Sequence, residues 1–171
     1  MEDRRDRALA YRRHHGGELS GLLALAVPAS PPAPRPADVE VEPVDHTSPV
    51  ALIRENLDVN EQGFDPAAKP VGDDQAEAFR YELECARAVT VRAGGQPVAA
   101  GMVLPVCAGV TEIAGVTTLA PHRGRGYGRI ATEALLEAAA ELGADLVVLG
   151  TDDPVARRLY ERMGFTAVPV R

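Results

Sequence analysis

A run rich in glycine and arginine, Pro121 to Arg129, contains the residue types that point most directly to chemistry. It lies between an apolar, strand-like segment at residues 110–119 and a helix-forming segment at residues 130–142. Glycine has no Cβ atom, so the backbone can turn sharply and bring several N–H groups together, and the following helix adds a partial positive charge at its N-terminus. The run therefore predicts a site for an anion such as a phosphate or diphosphate.

The spacing of the glycines excludes two common nucleotide-binding loops. No Gly-Lys-Ser/Thr closes the run, as a Walker A loop requires, and Arg129 stands where the Rossmann fingerprint needs its last glycine. Instead, the pattern Arg-x-x-Gly-x-Gly resembles the diphosphate-binding loop of the GCN5-related N-acetyltransferase (GNAT) family. The resemblance implies that acetyl-CoA is the co-substrate. It also implies cofactor contacts from Arg123, Gly124, Arg125, Gly126, Tyr127 and Gly128.

A second match to the family lies downstream, at residues 153–165. Asp153 is predicted to be the N-cap of a helix that ends before Gly164. The pattern Ala-x-x-Leu-Tyr-Glu-x-x-Gly-Phe resembles the last helix of GNAT domains, and this implies that Tyr160 protonates the departing CoA thiolate. A tyrosine hydrogen-bonded at the core edge is the alternative. The family usually has asparagine at the position of Asp153, which implies a cofactor contact there; the carboxylate keeps the cap but loses the amide donor.

Acetyl transfer to an amine requires a proton acceptor, because most amines are protonated at neutral pH. Glu112 is the candidate, since it interrupts an otherwise uncharged strand and family members often place a glutamate there that relays the proton through water. A solvent-facing strand residue is the alternative. The resemblance also implies a backbone N–H at or near Leu119 as the donor to the thioester carbonyl. A strand bulge often accompanies this site, and Gly115 would permit one; the alternative is that this glycine simply relieves crowding in the strand.

The remaining pattern predicts the elements that position these residues. Strands are predicted at 39–44, 88–92, 97–106, 110–119 and 144–149, and helices at 49–57, 74–84, 130–142 and 153–165. The resemblance implies the same order over residues 38–169. Both indicate an α/β (α+β) GNAT acyl-CoA N-acyltransferase fold, with a central mixed, mostly antiparallel sheet flanked by helices.

Residues 1–37 lie outside the resemblance and are interpreted as an N-terminal appendage to an acetyltransferase domain at 38–171. They comprise a charged helix, an apolar segment at 19–27 and a proline-rich linker at 28–36. The domain is expected to fold without them. The apolar segment nevertheless needs cover, so it is expected to dock on the domain or on a second subunit, and a homodimer is one of the two outcomes.

The composition and the N-terminal sequence restrict the possible cellular compartments and binding partners. The net charge of −7 argues against nucleic acid as the main partner. Acidic residues near the start argue against a cleaved signal peptide, and residues 19–27 are too few to span a bilayer. Cys85 and Cys107 fit no metal-binding spacing and are expected to be reduced core thiols. A cytoplasmic protein with no metal site and no membrane partner is predicted.

Two functions from different classes remain open. The favoured one is an N-acetyltransferase acting on a small-molecule amine. Acidic residues outnumber basic ones between Asp38 and Glu84, which favours a cationic acceptor, although a solvated acidic surface would have the same composition. The alternative function is a non-catalytic acyl-CoA-binding or regulatory module, which the departure at Asp153 motivates.

Overall fold

Residues 3–170 are described by the structure, which is a computed structural model. They form five α-helices and seven β-strands in mixed order along the chain. The elements are α1 Arg4–His14, β1 Leu22–Ala26, β2 Val39–Val44, α2 Val50–Phe64, α3 Asp73–Glu82, β3 Arg87–Ala93, β4 Gln96–Val103, β5 Val110–Thr118, a 3₁₀ turn Ala120–His122, α4 Tyr127–Glu141, β6 Leu146–Gly150, α5 Pro154–Arg162 and β7 Thr166–Ala167.

All seven strands belong to one sheet with the order β2-β3-β4-β5-β6-β1-β7. Neighbouring strands from β2 to β5 are antiparallel, β5 and β6 are parallel, and β1 is antiparallel to both β6 and β7. A short turn explains the antiparallel pairing of β3 and β4, because Gly94 and Gly95 have positive φ and close this hairpin without strain. The predicted mixed, mostly antiparallel sheet flanked by helices is confirmed.

The helices cover both faces of the sheet. In β6, Val147 and Leu149 join the largest hydrophobic cluster, which includes Leu135 of α4 and Tyr160 of α5. Leu146 and Val148 alternate with them, point to the opposite face and pack with α1. The buried residues of α2 and α3 also lie on this second face, opposite α4. Such strands, covered on both faces, read as continuous apolar runs.

Strand β1 corrects the interpretation of residues 1–37 as an appendage outside the fold. Leu22–Ala26 lies inside the sheet, paired with β6 along its whole length and with β7 on its other edge. Leu23 is fully buried on the α4 face, and Leu22 is buried on the α1 face. The physical reason is that an apolar run of this length must be covered on both sides, and an interior strand position achieves this.

The rest of the N-terminal region follows the same sheet. Arg7 of α1 donates hydrogen bonds to the Asp145 carboxylate and to the Ala108 carbonyl, so α1 is tied to the start of β5 and β6. The hydrogen bond from Arg7 is the main reason that the pKa of Asp145 is lowered. Residues 28–32 cross α4 and enclose with it a cavity of about 300 Å³. Independent folding of residues 38–171 was expected from the sequence, but the observed sheet favours the opposite outcome, because such a chain would lack the strand between β6 and β7.

The cysteines differ from expectation in one respect. Both Cys85 and Cys107 are free thiols, but both are exposed, so the prediction of core thiols is wrong. Cys85 follows the end of α3, and Cys107 lies in the turn between β4 and β5, where the backbone runs along the surface. Among residues 3–170, no helix combines the length and the hydropathy needed to cross a membrane.

Candidate active site

Strands β5 and β6 separate from one another at their carboxyl ends. Within the described residues they pair at three positions only, the last of which joins Glu112 to Val148. Beyond it β5 continues to Thr118 and β6 to Gly150. We call the gap between residues 113–118 of β5 and residues 149–150 of β6 the fork. One edge of β5 is therefore open to a ligand at the centre of the sheet.

A bulge in β5 widens this region. The register between β4 and β5 shifts between Ala100 and Met102, opposite Gly115. Gly115 has a φ of 62°, which other residues rarely adopt, and Asn60 of α2 donates a hydrogen bond to its carbonyl. The bulge that Gly115 would permit is present, and α2 holds it in place.

The glycine-rich loop lies at the open end of the fork. Gly124 and Gly126 have φ values of 76° and 86°, and a Cβ atom on either would meet no atom within 4 Å. In residues 3–170, no backbone carbonyl accepts from the N–H groups of 124–129, and the first helical bond of α4 runs from Ile130 N to Gly126 O (3.1 Å). Six amide donors and the positive end of a 15-residue helix thus share one exposed surface.

The side chains of the loop have separate roles. Arg123 donates to the carbonyls of Thr118 (3.1 Å) and Gly63 (2.7 Å), so its guanidinium fastens the loop to β5 and α2. Arg129 pairs with Glu133 one turn later in α4 (2.9 Å). Arg125 is exposed, and Tyr127 is half-buried. Loop amides and the Arg125 side chain are therefore the groups best placed for an anion.

The N–H group of Leu119 is not available as a donor to a ligand. It donates to the carbonyl of Val98 in the β4 direction (2.9 Å), so a donor near Leu119 would have to be a neighbouring N–H group, and this stays a prediction. Successive N–H groups in an antiparallel strand point alternately toward and away from the neighbouring strand. The N–H of Thr118 therefore points to the fork, one residue earlier than expected.

Helix α5 follows the prediction closely. It begins after Asp153, whose carboxylate accepts from Val155 N (2.9 Å), and it ends before Gly164, whose φ is 100°. The predicted caps are confirmed. The Asp153 side chain is turned toward its own helix, and any contact of Asp153 with a cofactor stays a prediction.

Tyr160 lies between α5 and α4 and is only 7% exposed. Its ring packs edge-to-face on Phe165, with centroids 5.8 Å apart. Burial raises the pKa of Tyr160, a hydrogen bond with Thr132 acts the other way, and the charge of Asp153 raises it further. Thr132 gives its own proton to the Gly128 carbonyl (2.8 Å), so this side chain links the phenol to the glycine-rich loop.

Glu112 lies on the α1 face of β5, at the last residue pair before the fork. It is 7% exposed, so the alternative of a solvent-facing residue is wrong. Its carboxylate forms an ion pair with Arg12 of α1. The pKa of the nearby Tyr11 phenol is raised. Burial is the larger cause, and the negative charge of Glu112 raises this pKa further. A role for Glu112 in proton transfer stays a prediction.

Sequence reasoning missed Arg12, Thr118 and Thr132. Arg12 is one of several arginines in a charged helix, and no local signal distinguishes it. Thr118 depends on strand direction, which is visible only in the sheet. Thr132 did carry a signal, because it is a hydroxyl residue on the buried side of a predicted helix.

Solved structures with similar folds include several acetyltransferases. A GCN5-related N-acetyltransferase from Kribbella flavida is 30% identical, with 94% of this chain and 60% of that chain covered and a TM-score of 0.65. One from Sphaerobacter thermophilus is 21% identical, with 93% and 52% covered and a TM-score of 0.62. An aminoglycoside acetyltransferase from an uncultured soil metagenomic sample is 21% identical, with 78% and 95% covered and a TM-score of 0.62.

At 21% identity, the last two likenesses concern the fold alone. The chain spans three fifths of the length of the Kribbella protein and about half of the Sphaerobacter protein. No curated protein matches it. The model of the acetyltransferase (GNAT) family matches residues 55–165, which include the fork, the glycine-rich loop and Tyr160. The chain belongs to the GNAT family of acetyltransferases.

Proposed function

We propose that this protein is an N-acetyltransferase, which transfers the acetyl group of acetyl-CoA directly to the amine of a small acceptor. The observation that carries the proposal is that three features follow one another along β5 and the loop after it. The unpaired amides of residues 124–129 lie at the open end of the fork, the free edge of β5 forms its side, and Glu112 lies at its closed end.

Acetyl-CoA fits these features as a substrate. Its diphosphate matches the donors at the glycine-rich loop, where Gly124 and Gly126 leave the space above the backbone open. The exposed Arg125 adds a positive charge. The pantetheine amides need backbone partners, which the open edge of β5 offers. The thioester then lies deeper in the fork, beyond Thr118 and toward Glu112.

The proposed reaction is direct attack of the amine on the thioester. The amine lone pair forms a C–N bond to the carbonyl carbon, and a backbone N–H group on the open edge of β5 stabilises the negative charge that develops on the oxygen. Glu112 accepts the proton that the amine loses, directly or through water. The C–S bond then breaks, and CoA leaves as a thiolate that receives a proton from Tyr160.

The surroundings of Tyr160 suit an acid. Burial raises the pKa of the phenol, so it keeps its proton throughout the neutral range. The same residue would be a poor base, which leaves the amine proton to Glu112.

We propose a small, cationic acceptor. The chain carries a net charge of −7, which attracts an ammonium group. Several carboxylates of the region 38–84 are already neutralised, however: Arg92 pairs with Glu42 and Glu55, and Arg54 pairs with Asp73. The attraction is therefore weaker than composition alone indicates. Aminoglycoside acetyltransferases among the neighbours support an amine on a small molecule.

A second candidate is a non-catalytic acyl-CoA-binding module. The ion pair between Arg12 and Glu112 favours it, because a carboxylate that already holds a guanidinium is less available to an amine. Two measurements separate the functions. Calorimetry reports acetyl-CoA binding, and release of free CoA thiol against a panel of primary amines reports transfer. Binding without thiol release for any amine would favour the module, whereas acceptor-dependent release well above the rate of spontaneous hydrolysis would support the enzyme.

A further inference from the structure

Arg12 reaches the candidate active site from outside the part of the chain that the family model matches. It lies on α1, whereas the match covers residues 55–165. Its Nη1 atom pairs with the Glu112 carboxylate on β5, and its Nε donates to the Glu18 carbonyl (3.0 Å). The side chain is only 17% exposed. Arg12 is therefore held in one position by two partners.

The guanidinium also extends to β6, on the other side of the fork. Its Nη2 atom lies 2.9 Å from the position that a Cβ atom on Gly150 would take. Gly17 gives similar room on the other side, since a Cβ there would lie 2.3 Å from Nε. Side chains at either position would displace the guanidinium. Two glycines thus make space for Arg12 beside the point where β5 and β6 separate.

The Nη2 edge of this guanidinium has capacity for another partner. Within residues 3–170, Nη2 donates no hydrogen bond, and it is not completely buried, because no completely buried side-chain nitrogen or oxygen in this part of the chain lacks a partner. Arginine stays charged at any physiological pH and offers five donors in a planar arrangement. A fixed, charged and partly unused donor group beside Glu112 is suited to an anionic group of a ligand.

We propose that Arg12 determines acceptor specificity by binding a carboxylate or phosphate on the acceptor while Glu112 receives its amine. The inference rests on the proposed function. It makes the proposal of a cationic acceptor more specific. The ammonium group of the acceptor supplies the positive charge, and an anionic group lies close to it in the same molecule. The expected class is a zwitterionic amine, such as an amino acid or an amino sugar phosphate.

Charge balance supports this class over amines without an anionic group. Glu112 and Arg12 cancel each other, so a lone ammonium at Glu112 would face the guanidinium as a like charge nearby. An acceptor with both charges places each next to its opposite. The acceptor amine and its anionic group then occupy complementary positions, and this also fixes the direction from which the amine approaches the thioester.

The test compares matched acceptor pairs that differ in the anionic group only. Suitable pairs are each of several amino acids with its own carboxamide, and glucosamine 6-phosphate with glucosamine. For each pair, kcat/KM is measured from CoA thiol release. The value for the member with the anionic group is then divided by the value for the member without it. Arg12→Gln should lower this ratio by about 10- to 100-fold through loss of the anionic member, as expected for one charged hydrogen-bonded contact. The two kinds of pair distinguish carboxylate from phosphate.

Two further variants separate recognition from folding. Arg12→Lys keeps the charge but loses the planar edge, so it should lower the ratio by an intermediate amount. Arg13→Gln removes the same charge from the next, exposed residue of α1 and should leave the ratio unchanged. A destabilised variant reduces turnover of both members of a pair equally, so the ratio does not report stability.

An unchanged ratio in Arg12→Gln overturns the proposal, whatever happens to the absolute rates. The proposal is also overturned if the ratio falls only because the member without the anionic group becomes faster. Arg12 would then merely compete with the acceptor amine for Glu112. If the wild-type protein acetylates none of these amines, the proposed function fails. Calorimetry then measures binding of the same pairs to CoA-saturated wild-type and Arg12→Gln protein. The proposal is supported if the variant binds only the member with the anionic group more weakly than the wild type does. It is refuted if the two proteins bind that member equally.

Discussion

Replacement of Leu23 by alanine tests whether the N-terminal strand is part of the hydrophobic core. Leu23 is fully buried in the middle of β1 and is paired with Leu149 of β6 and Ala167 of β7. It belongs to the largest cluster, on the face covered by α4. If residues 1–37 were an appendage, this substitution would barely change the stability of the domain. In the observed fold it should be strongly destabilising.

The size of the effect follows from burial. Leu23→Ala removes three carbon atoms from a fully buried position, and at ~0.8 kcal/mol for each buried methylene the lost transfer free energy is about 2.4 kcal/mol. The cavity left behind adds to this, which gives a total of about 3–5 kcal/mol. For a domain of this size, each kcal/mol lowers Tm by roughly 2–4 °C, so a decrease of at least ~6 °C is expected.

The assay is urea unfolding followed by far-UV circular dichroism, because the chain contains no tryptophan to report by fluorescence. Leu19→Ala is the matched control: this residue is only partly buried and precedes the strand, so it should cost less than about 1.5 kcal/mol. A loss below about 1 kcal/mol for Leu23→Ala, or equal losses for both variants, would refute the placement of β1 in the core.

Three further predictions concern binding, chemistry and chain length. Gly126→Val should weaken acetyl-CoA binding at least ~10-fold by calorimetry, because a β-branched residue at a φ of 86° is strained and projects over the loop. Gly95→Val, at a φ of 78° in a distant turn, should leave affinity unchanged. Tyr160→Phe should lower kcat by about 10- to 10⁴-fold with acetyl-CoA affinity intact. Since burial raises the pKa of this phenol above its ordinary 10.0, the loss should persist up to pH 10, and wild-type turnover would remove the residue from the mechanism. A shortened chain beginning at Ala37 lacks β1 and should show no cooperative melt, whereas a sharp thermal transition would restore the boundary predicted from sequence.

The parts of the fold that depend on neighbouring residues were predictable. Helix α5 is an example, because Asp153, Pro154 and Gly164 are cap residues whose effect is local. The glycine-rich loop is another: its conformation requires positive φ at fixed positions, and only glycine adopts it freely. Strands β3, β4 and β5 follow each other along the chain without an intervening helix and are neighbours in the sheet, so the short turns between them are a local signal for antiparallel pairing.

The parts that depend on distant residues were not predictable from local pattern. Residues 22–26 read as an apolar segment, but their partner strand β6 is not adjacent in sequence. The proline-rich stretch after them was interpreted as a domain boundary, although it only carries the chain across α4. The pairing of Arg12 with Glu112 has the same origin, since 100 positions separate the two residues. Long-range pairing of this kind leaves no signal in either segment alone.

The position of β1 has a consequence for how the protein is made. Ribosomes release the chain from its N-terminus, so the apolar strand at residues 22–26 emerges roughly 120 residues before the β6 residues that it pairs with. Until then its edges and both faces lack their native cover, which is a hazard for aggregation. Closure of so long a loop also slows folding, because its entropy is lost before the contacts form. Completion of the sheet should therefore be a late step after synthesis, and the charged helix ahead of β1 would help to keep the nascent chain in solution until that step.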